Sequence, residues 1–238
     1  MNKVLVVVAH PDDEILGVGG TVAKHTADGD YVECAILGEG QTSRWDKRES
    51  ADSGVIDKLH QDSIEAIKIV GYKNVQFAEF PDNRFDQVDL LDIIKVIERI
   101  IERVQPDIVY THHGGDLNID HQRTFQAVMT ATRTVNRYTV KELYTFETLS
   151  STEWNFERKG TFYPNVYVDI EPYIQKKIDA MLQYQSELCE YPHPRSTEGI
   201  KLLAEYRGMV VGRKYVEAFE LIRKICDSEY QIGIKESR

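Results

Sequence analysis

The stretch VLVVVAHPDDEILGVGG, residues Val4–Gly20, runs from an unbroken apolar segment directly into a histidine, a proline and three consecutive acids. A short continuous apolar run is typical of a strand buried on both faces, as in a parallel sheet. In an open parallel sheet the ligand crevice lies beyond the carboxyl ends of the strands. The polar residues that follow the run are therefore expected at such a crevice: His10, Asp12, Asp13 and Glu14.

The rest of the chain alternates between strand-like and helix-like patterns. Predicted strands cover 3–9, 31–37, 74–80, 107–111, 141–149 and 165–170; predicted helices cover 15–30, 48–70, 88–104, 121–135, 172–188 and 197–212, and 214–225 fits either state. The apolar strands lack a polar face, which indicates a sheet covered on both sides. We expect a Rossmann-like, three-layer α/β/α fold with a mostly parallel central sheet. It forms one domain over residues 1–238, whose last third, from about 140, is less regular and partly β.

Composition excludes several classes of function. The chain has 238 residues and a formal net charge of −10, which would repel a phosphate backbone, so nucleic acid is not an expected partner. No apolar run approaches the roughly 20 residues of a membrane span, and we expect no signal peptide, because the apolar run at 4–9 leads directly into charge. Three widely spaced cysteines, Cys34, Cys189 and Cys226, fit reduced thiols. We therefore expect a cytoplasmic protein.

A second polar loop, THHGGDLNIDH at 111–121, follows the predicted strand at 107–111. If both strands are central, the two loops meet at one edge of the sheet. A mixed set of imidazole and carboxylate ligands suits zinc or another first-row transition metal, and a catalytic zinc needs three protein ligands and an open position. Taken singly, Asp12 and Asp13 could be helix-capping acids and the histidines ordinary loop residues. Repulsion among adjacent acids would nevertheless cost stability unless a cation offsets it.

The glycines after the first strand support a competing interpretation. Gly17, Gly19 and Gly20 resemble part of a dinucleotide-binding fingerprint, and Glu39 lies at a distance suitable for a ribose contact. That fingerprint places its first glycine in the turn directly after the strand, where acids stand in this chain and would repel a pyrophosphate. We expect the glycines to let the first helix pack closely. A nucleotide-binding oxidoreductase stays the alternative, together with a catalytically silent metal-binding module.

The combination of AHPDDE at 9–14 with GDLNIDH at 115–121 resembles the LmbE-like or PIG-L superfamily of zinc-dependent de-N-acetylases. The resemblance extends through GEGQTSR at 38–44 and FPDNRF at 80–85 to RGMVVGRKYVEAFELIR at 207–223, so it spans nearly the whole chain. It implies a hydrolase of a linear amide C–N bond that removes the N-acetyl group from an N-acetylglucosamine-type sugar conjugate. The implied cofactor is Zn²⁺, with Fe²⁺ as an alternative.

The resemblance also implies roles for individual residues. The metal ligands match His10, Asp13 and His121, and the general base matches Asp12. Sugar contacts match Asp82 and Arg48, with Arg44 as a competing match for the arginine. The residues themselves suggest two further roles. Asp120 is expected either to support His121 through a hydrogen bond or to cap the helix that follows. His193 is expected either at the rim of the pocket or in an ordinary surface loop, before a helix capped by Ser196 or Thr197.

One position departs from the family pattern. Members commonly carry, three residues before the last ligand, a histidine that stabilises the oxyanion, whereas this chain has Asn118. An asparagine amide donates a hydrogen bond but carries no charge. We expect either Asn118 as a neutral donor or a histidine from elsewhere, with His113 and His193 as candidates. The sequence leaves open the carrier of the sugar, the acyl group and whether the chain forms a homo-oligomer.

Overall fold

The computed structural model describes residues 1–50, 52–135, 138–156 and 160–226. Seven strands form one sheet in the order β3-β2-β1-β4-β5-β7-β6. The strands are β1 (Lys3–Val8), β2 (Tyr31–Gly38), β3 (Asn74–Phe80), β4 (Ile108–His112), β5 (Glu142–Phe146), β6 (Val166–Asp169) and β7 (Val216–Lys224). Strands β1 to β5 pair in parallel, whereas β7 is antiparallel to both β5 and β6.

Helices cover both faces of this sheet. They are α1 (Asp13–Leu16), α2 (Gly19–Ala27), α3 (Ser53–Val70), α4 (Leu90–Val104), α5 (Ile119–Ala131), α6 (Ile174–Met181) and α7 (Thr197–Val211). Alternate side chains of β1 enter two different cores: Val4, Val6 and Val8 pack with α2, α3 and α6, and Leu5 and Val7 pack with α4 and α5. The predicted three-layer α/β/α class with a mostly parallel sheet is confirmed.

Several element boundaries differ from the sequence prediction. The helix expected over 15–30 is split into α1 and α2, because Val18 has non-helical dihedral angles (φ −143°, ψ 9°). The helix expected from residue 48 begins at Ser53, where the Asp52 side chain caps it by accepting from the Gly54 N–H at 2.9 Å; its predicted span includes residue 51, outside the described residues. The helix expected over 172–188 ends at Met181. The undecided segment 214–225 contains strand β7.

The predicted domain runs to residue 238, and its last segment, 227–238, lies outside the described residues. The single-domain organisation therefore stays a prediction. Within the part of the chain that the structure describes, no helix combines the length and the apolar character needed to cross a bilayer.

The topology of β1 positions the candidate site. Strand β1 pairs with β2 on one side and with β4 on the other, and all three run in parallel. Strands β2 and β3 therefore lie on one side of β1, and β4 and β5 lie on the other side. The strand order reverses at β1, which makes this position a topological switch point. Crevices form at such switch points, beyond the carboxyl ends of the strands. The loops after β1 and β4 meet at this point, as the sequence predicts.

Candidate active site

The first loop brings His10, Asp12 and Asp13 to the crevice on a constrained backbone. Asp12 has a φ of +104°, a conformation that costs a non-glycine residue about 1–3 kcal/mol. The buried Glu14 carboxylate accepts the Asp12 N–H at 3.0 Å and the Tyr184 hydroxyl with its other oxygen. These bonds hold the strained turn between β1 and α1 in place.

Three potential ligand atoms converge at the floor of the crevice. Nδ1 of His10 lies 3.3 Å from Oδ2 of Asp13 and 3.3 Å from Nε2 of His121, and the Asp13 and His121 atoms are 3.4 Å apart. Ligand atoms about 2.0–2.1 Å from a tetrahedral zinc stand about 3.3–3.4 Å from one another. The spacing and the chemistry of these donors therefore fit a divalent transition-metal ion.

Two buried carboxylates orient the two imidazoles of this cluster. Asp120, which was expected to support His121, instead accepts from Nε2 of His10 at 3.0 Å, and Asp116 is the carboxylate that faces Nδ1 of His121, at 3.2 Å. An ionised carboxylate only accepts hydrogen bonds, so these two nitrogen atoms carry the protons. The other nitrogen of each ring is the one that faces the cluster. Such carboxylate–histidine pairs are typical of metal-binding histidines.

The buried charges of the cluster shift one another's protonation. Burial opposes ionisation of Asp13, yet the neighbouring positive charge of His121 holds the pKa of its carboxyl well below the usual range. Burial also lowers the pKa of His121, but Asp13 and Asp116 outweigh it and raise that pKa to about 9. In the metal-free protein, protons on the imidazoles compensate the acids. A proton and a divalent ion therefore compete for the same nitrogen atom.

Burial acts in the opposite direction on the carboxyl of Asp12. Removal from water raises its pKa well above the usual range, and the carboxylates of Asp13 and Glu187 add to that rise while Arg195 opposes it. A carboxylate with a raised pKa accepts a proton more readily than an ordinary aspartate near neutral pH. Asp12 thus differs in chemistry from Asp13, its neighbour in sequence.

His112 and His113 lie outside the three-atom cluster. Nε2 of His112 accepts the Ala9 N–H at 3.0 Å and its Nδ1 pairs with Thr148, so its ring is neutral; burial and His121 lower its pKa to about 4. His113 instead contacts the Glu220 carboxylate at 2.8 Å and the carbonyl of Gly160 at 2.5 Å. Of the three histidines at 111–121, His121 is the one whose ring nitrogen belongs to the three-atom cluster.

A cavity of about 250 Å³ opens above the cluster. Its walls are mostly polar and include predicted site residues from the segments after β1, β3 and β4: His10, Asp12, Asp13, Asp82, Asn118 and His121. Asp82 accepts from both the backbone N–H (3.0 Å) and the hydroxyl of Ser43 (2.5 Å) and also lies 3.4 Å from Nε2 of His10. Most of the predicted site residues therefore line this one cavity.

Two predicted substrate contacts are placed elsewhere. Arg48 forms a two-point ion pair with Glu39, at 2.8 Å for each bond, and Arg44 is the arginine that lines the cavity in its place. Motif spacing alone does not identify which of these two arginines, four residues apart, reaches the cavity. His193 packs edge-on against the Trp154 ring, with centroids 5.8 Å apart, and is not among the cavity-lining residues.

Asn118 lies at the junction of the cavity and helix α5. Its Oδ1 caps the helix by accepting the Asp120 N–H at 2.8 Å, and its Nδ2 donates to Oδ1 of Asn83 at 3.1 Å. Among the residues that the structure describes, the second N–H of this amide has no hydrogen-bond acceptor. Of the three candidate oxyanion donors that the sequence suggests, Asn118 is the one that lines the cavity.

Sequence reasoning missed a charged part of the cavity wall that centres on Glu187. Glu187 is buried and accepts from Arg44 at 2.9 and 2.8 Å, from Arg195 at 3.1 Å and from the Gln41 amide. Arg195 also donates to Oδ2 of Asp12 at 3.3 Å. Glu187 stands at the end of a predicted helix, where nothing in the local pattern indicates a site. The His-Pro-Arg segment at 193–195 indicated only a possible rim.

The fold and the site agree with a known family. The PIG-L family, described as GlcNAc-PI de-N-acetylase, matches residues 5–132, which is more than half of the chain. The chain belongs to this family, and the recognition made from its motifs is confirmed.

Individual relatives extend the similarity along the chain. It is 31% identical over 189 residues to the uncharacterized deacetylase YaiS of Escherichia coli K12, covering 77% of this chain and 90% of YaiS. It is 23% identical over 226 residues to diacetylchitobiose deacetylase of Thermococcus kodakarensis, covering 93% and 84% of the two chains.

One solved structure that shares the fold is that of an enzyme with a different activity. GalB, the 4-carboxy-2-hydroxymuconate hydratase of Pseudomonas putida KT2440, superposes with a TM-score of 0.76 at 21% identity, covering 96% of this chain and 99% of GalB. At that identity the likeness concerns the fold alone. The function of this chain therefore has to be argued from its site.

Proposed function

We propose that this protein is a metal-dependent de-N-acetylase acting on an N-acetylglucosamine-type sugar conjugate. One observation carries the proposal: the ligand atoms of His10, Asp13 and His121 stand 3.3–3.4 Å apart on the floor of a polar cavity that Asp12 also lines. Membership of the PIG-L family and the similarity to diacetylchitobiose deacetylase support the choice of an N-acetylated sugar.

The three residues would hold Zn²⁺, or Fe²⁺, with His10 and His121 fixed by Asp120 and Asp116. When bound there, such an ion supplies Lewis acidity, which makes water easier to deprotonate and polarises a carbonyl group. Asp13 supplies the negative charge of the ligand set. Its role is distinct from that of Asp12, which is not part of the cluster.

Asp12 would move the proton in this reaction. Its carboxylate accepts a proton from the water that attacks the acetamide carbon, and the protonated carboxyl returns it to the departing amine nitrogen. The products are acetate and a free amino sugar. The raised pKa of Asp12 suits both halves of this transfer, and the hydrogen bond from Arg195 restrains the carboxylate between them.

Asn118 would donate the hydrogen bond that stabilises negative charge on the former carbonyl oxygen. This follows from its position on the cavity wall and from the free second N–H of its amide. Asp82 and Arg44 would contact the sugar. We propose Arg44 in place of Arg48 because Arg44 lines the cavity, whereas Arg48 pairs with Glu39.

The proposal is tested by incubating the purified protein, loaded with Zn²⁺ or Fe²⁺, with a panel of N-acetylated sugar conjugates. Acetate and free amine should appear in equal amounts for at least one conjugate and should not appear after chelation. A dinucleotide-dependent reaction without acetate release would support the oxidoreductase alternative. Metal binding without turnover of any conjugate would support a silent metal-binding module.

A further inference from the structure

We infer that the cavity selects uncharged N-acetylhexosamine glycosides and discriminates against conjugates that carry a carboxylate or phosphate next to the acetylated sugar. The inference rests on the proposed function and specifies its substrate class. It follows from how the charged side chains of the cavity wall are paired with each other.

Both arginines that line the cavity already have carboxylate partners. Arg44 holds Glu187 through bonds of 2.9 and 2.8 Å, and Arg195 contacts Glu187 at 3.1 Å and Asp12 at 3.3 Å. Arginine is the usual residue for two-point recognition of a carboxylate or phosphate. Arg44 makes these bonds through Nη2 alone and Arg195 through Nη1 alone, so the protein's own acids compensate the positive charge of both guanidinium groups without engaging all of their N–H donors.

Breaking the ion pairs between Glu187 and these arginines would cost free energy. The Glu187 carboxylate is 6% exposed and also accepts from the Gln41 amide. An anionic substrate that captured Arg44 would leave Glu187 buried with fewer partners, and an unpaired buried charge is strongly destabilising. Glu187 therefore acts as an internal competitor for any anion that enters the cavity.

The overall charge of the cavity wall also disfavours anionic substrates. Four carboxylates line the cavity, from Asp12, Asp13, Asp82 and Glu187, against the guanidinium groups of Arg44 and Arg195. A divalent ion would only bring this set to neutrality. Asp12 and Asp82 retain oxygen atoms that accept hydrogen bonds from hydroxyl groups and that repel anions. A neutral sugar satisfies these acceptors, whereas a negatively charged aglycone meets like charge.

The test uses a pair of substrates that differ by one carboxylate: the methyl and carboxymethyl glycosides of N-acetylglucosamine, each as both anomers. We expect kcat/KM of the metal-loaded wild type to favour the methyl glycoside by at least about tenfold. In Glu187→Gln the arginines lose an acidic partner, so kcat/KM for the carboxymethyl glycoside should rise. The ratio of kcat/KM for the methyl glycoside to that for the carboxymethyl glycoside should then fall by about fivefold or more. Added salt should weaken that gain, because it screens charge interactions.

The matched control is Glu33→Gln. Glu33 is also a buried glutamate in a two-point pair with an arginine, Arg103, at 3.1 and 2.6 Å, but it lies outside the cavity lining. This variant should keep the wild-type preference. Equal rates on the two glycosides, a preference for the carboxymethyl form, or a preference that Glu187→Gln leaves unchanged would overturn the inference. Failure to release acetate from either glycoside or from any conjugate of the panel would instead count against the proposed function.

Discussion

Nε2 of His10 lies 3.0 Å from Oδ2 of Asp120, a carboxylate that is completely buried. Asp120 also accepts the backbone N–H groups of Asn83 at 2.6 Å and Phe85 at 2.9 Å. The carboxylate is therefore fixed by the loop after β3 before any ligand binds. In turn it fixes the His10 ring so that Nδ1 faces Asp13 and His121.

Replacing Asp120 with asparagine should weaken metal binding. The substitution removes the charge that holds the His10 N–H, and loss of such a partner lowers metal affinity by about 10–100-fold. Competition with a chromophoric chelator measures the change. Asp86→Asn, an exposed site in the same region, should leave the affinity at the wild-type value. An unchanged affinity in a folded Asp120→Asn protein would show that Asp120 does not support the ligand.

Two substitutions of Asn118 should separate its structural role from its proposed catalytic role. Asn118→Asp keeps the oxygen that caps α5, so the free energy of unfolding should change little, but it removes the amide donor, and kcat should fall by about 10²–10³-fold. Asn118→Ala removes both functions and should also cost about 0.5–2 kcal/mol of stability. Thermal unfolding and initial rates measure the two effects. Full kcat in both variants would exclude Asn118 from the reaction.

The close packing of the first helices should make Gly17→Ala destabilising. A Cβ at Gly17 would lie 2.2 Å from Cδ2 of Phe146, and one at Gly20 would lie 2.8 Å from the Ile170 side chain. We expect Gly17→Ala to lose about 1–3 kcal/mol in urea unfolding, because the Phe146 ring is buried and has to move. Gly54→Ala, at the exposed start of α3, should change stability by less than about 1 kcal/mol. Equal stability of the Gly17 variant and the wild type would mean that Phe146 relocates freely.

The fold and the convergence of His10, Asp13 and His121 are predictable from the sequence because both depend on strong local signals. The apolar run at Val4–Val8 has only one stable environment, a strand covered on two faces, and the acids that follow it must then lie at the crevice. The same reasoning applies to β4 and His121. The glycines were expected to permit close packing, and the contacts of Gly17 and Gly20 confirm this.

The cavity wall was less predictable because it depends on contacts between distant segments. Glu187 meets Arg44 across 143 residues, and no local periodicity encodes such a pair. The sequence does not decide between Arg48 and Arg44 for a related reason, since the Arg48–Glu39 pair is a tertiary contact that motif spacing does not encode. Strand β7 was undecided because its antiparallel partners, β5 and β6, lie far away in the chain.

The most direct test of the account measures bound metal and acetate release in the same preparations of wild type and Asp12→Asn. In the proposed mechanism the two adjacent aspartates have different roles: Asp13 is a metal ligand and Asp12 moves the proton. Asp12→Asn should therefore hold about one metal ion per chain, as the wild type does, while kcat falls by about 10²–10⁴-fold. A variant that loses its metal, or one that keeps both the metal and the wild-type rate, would contradict the account.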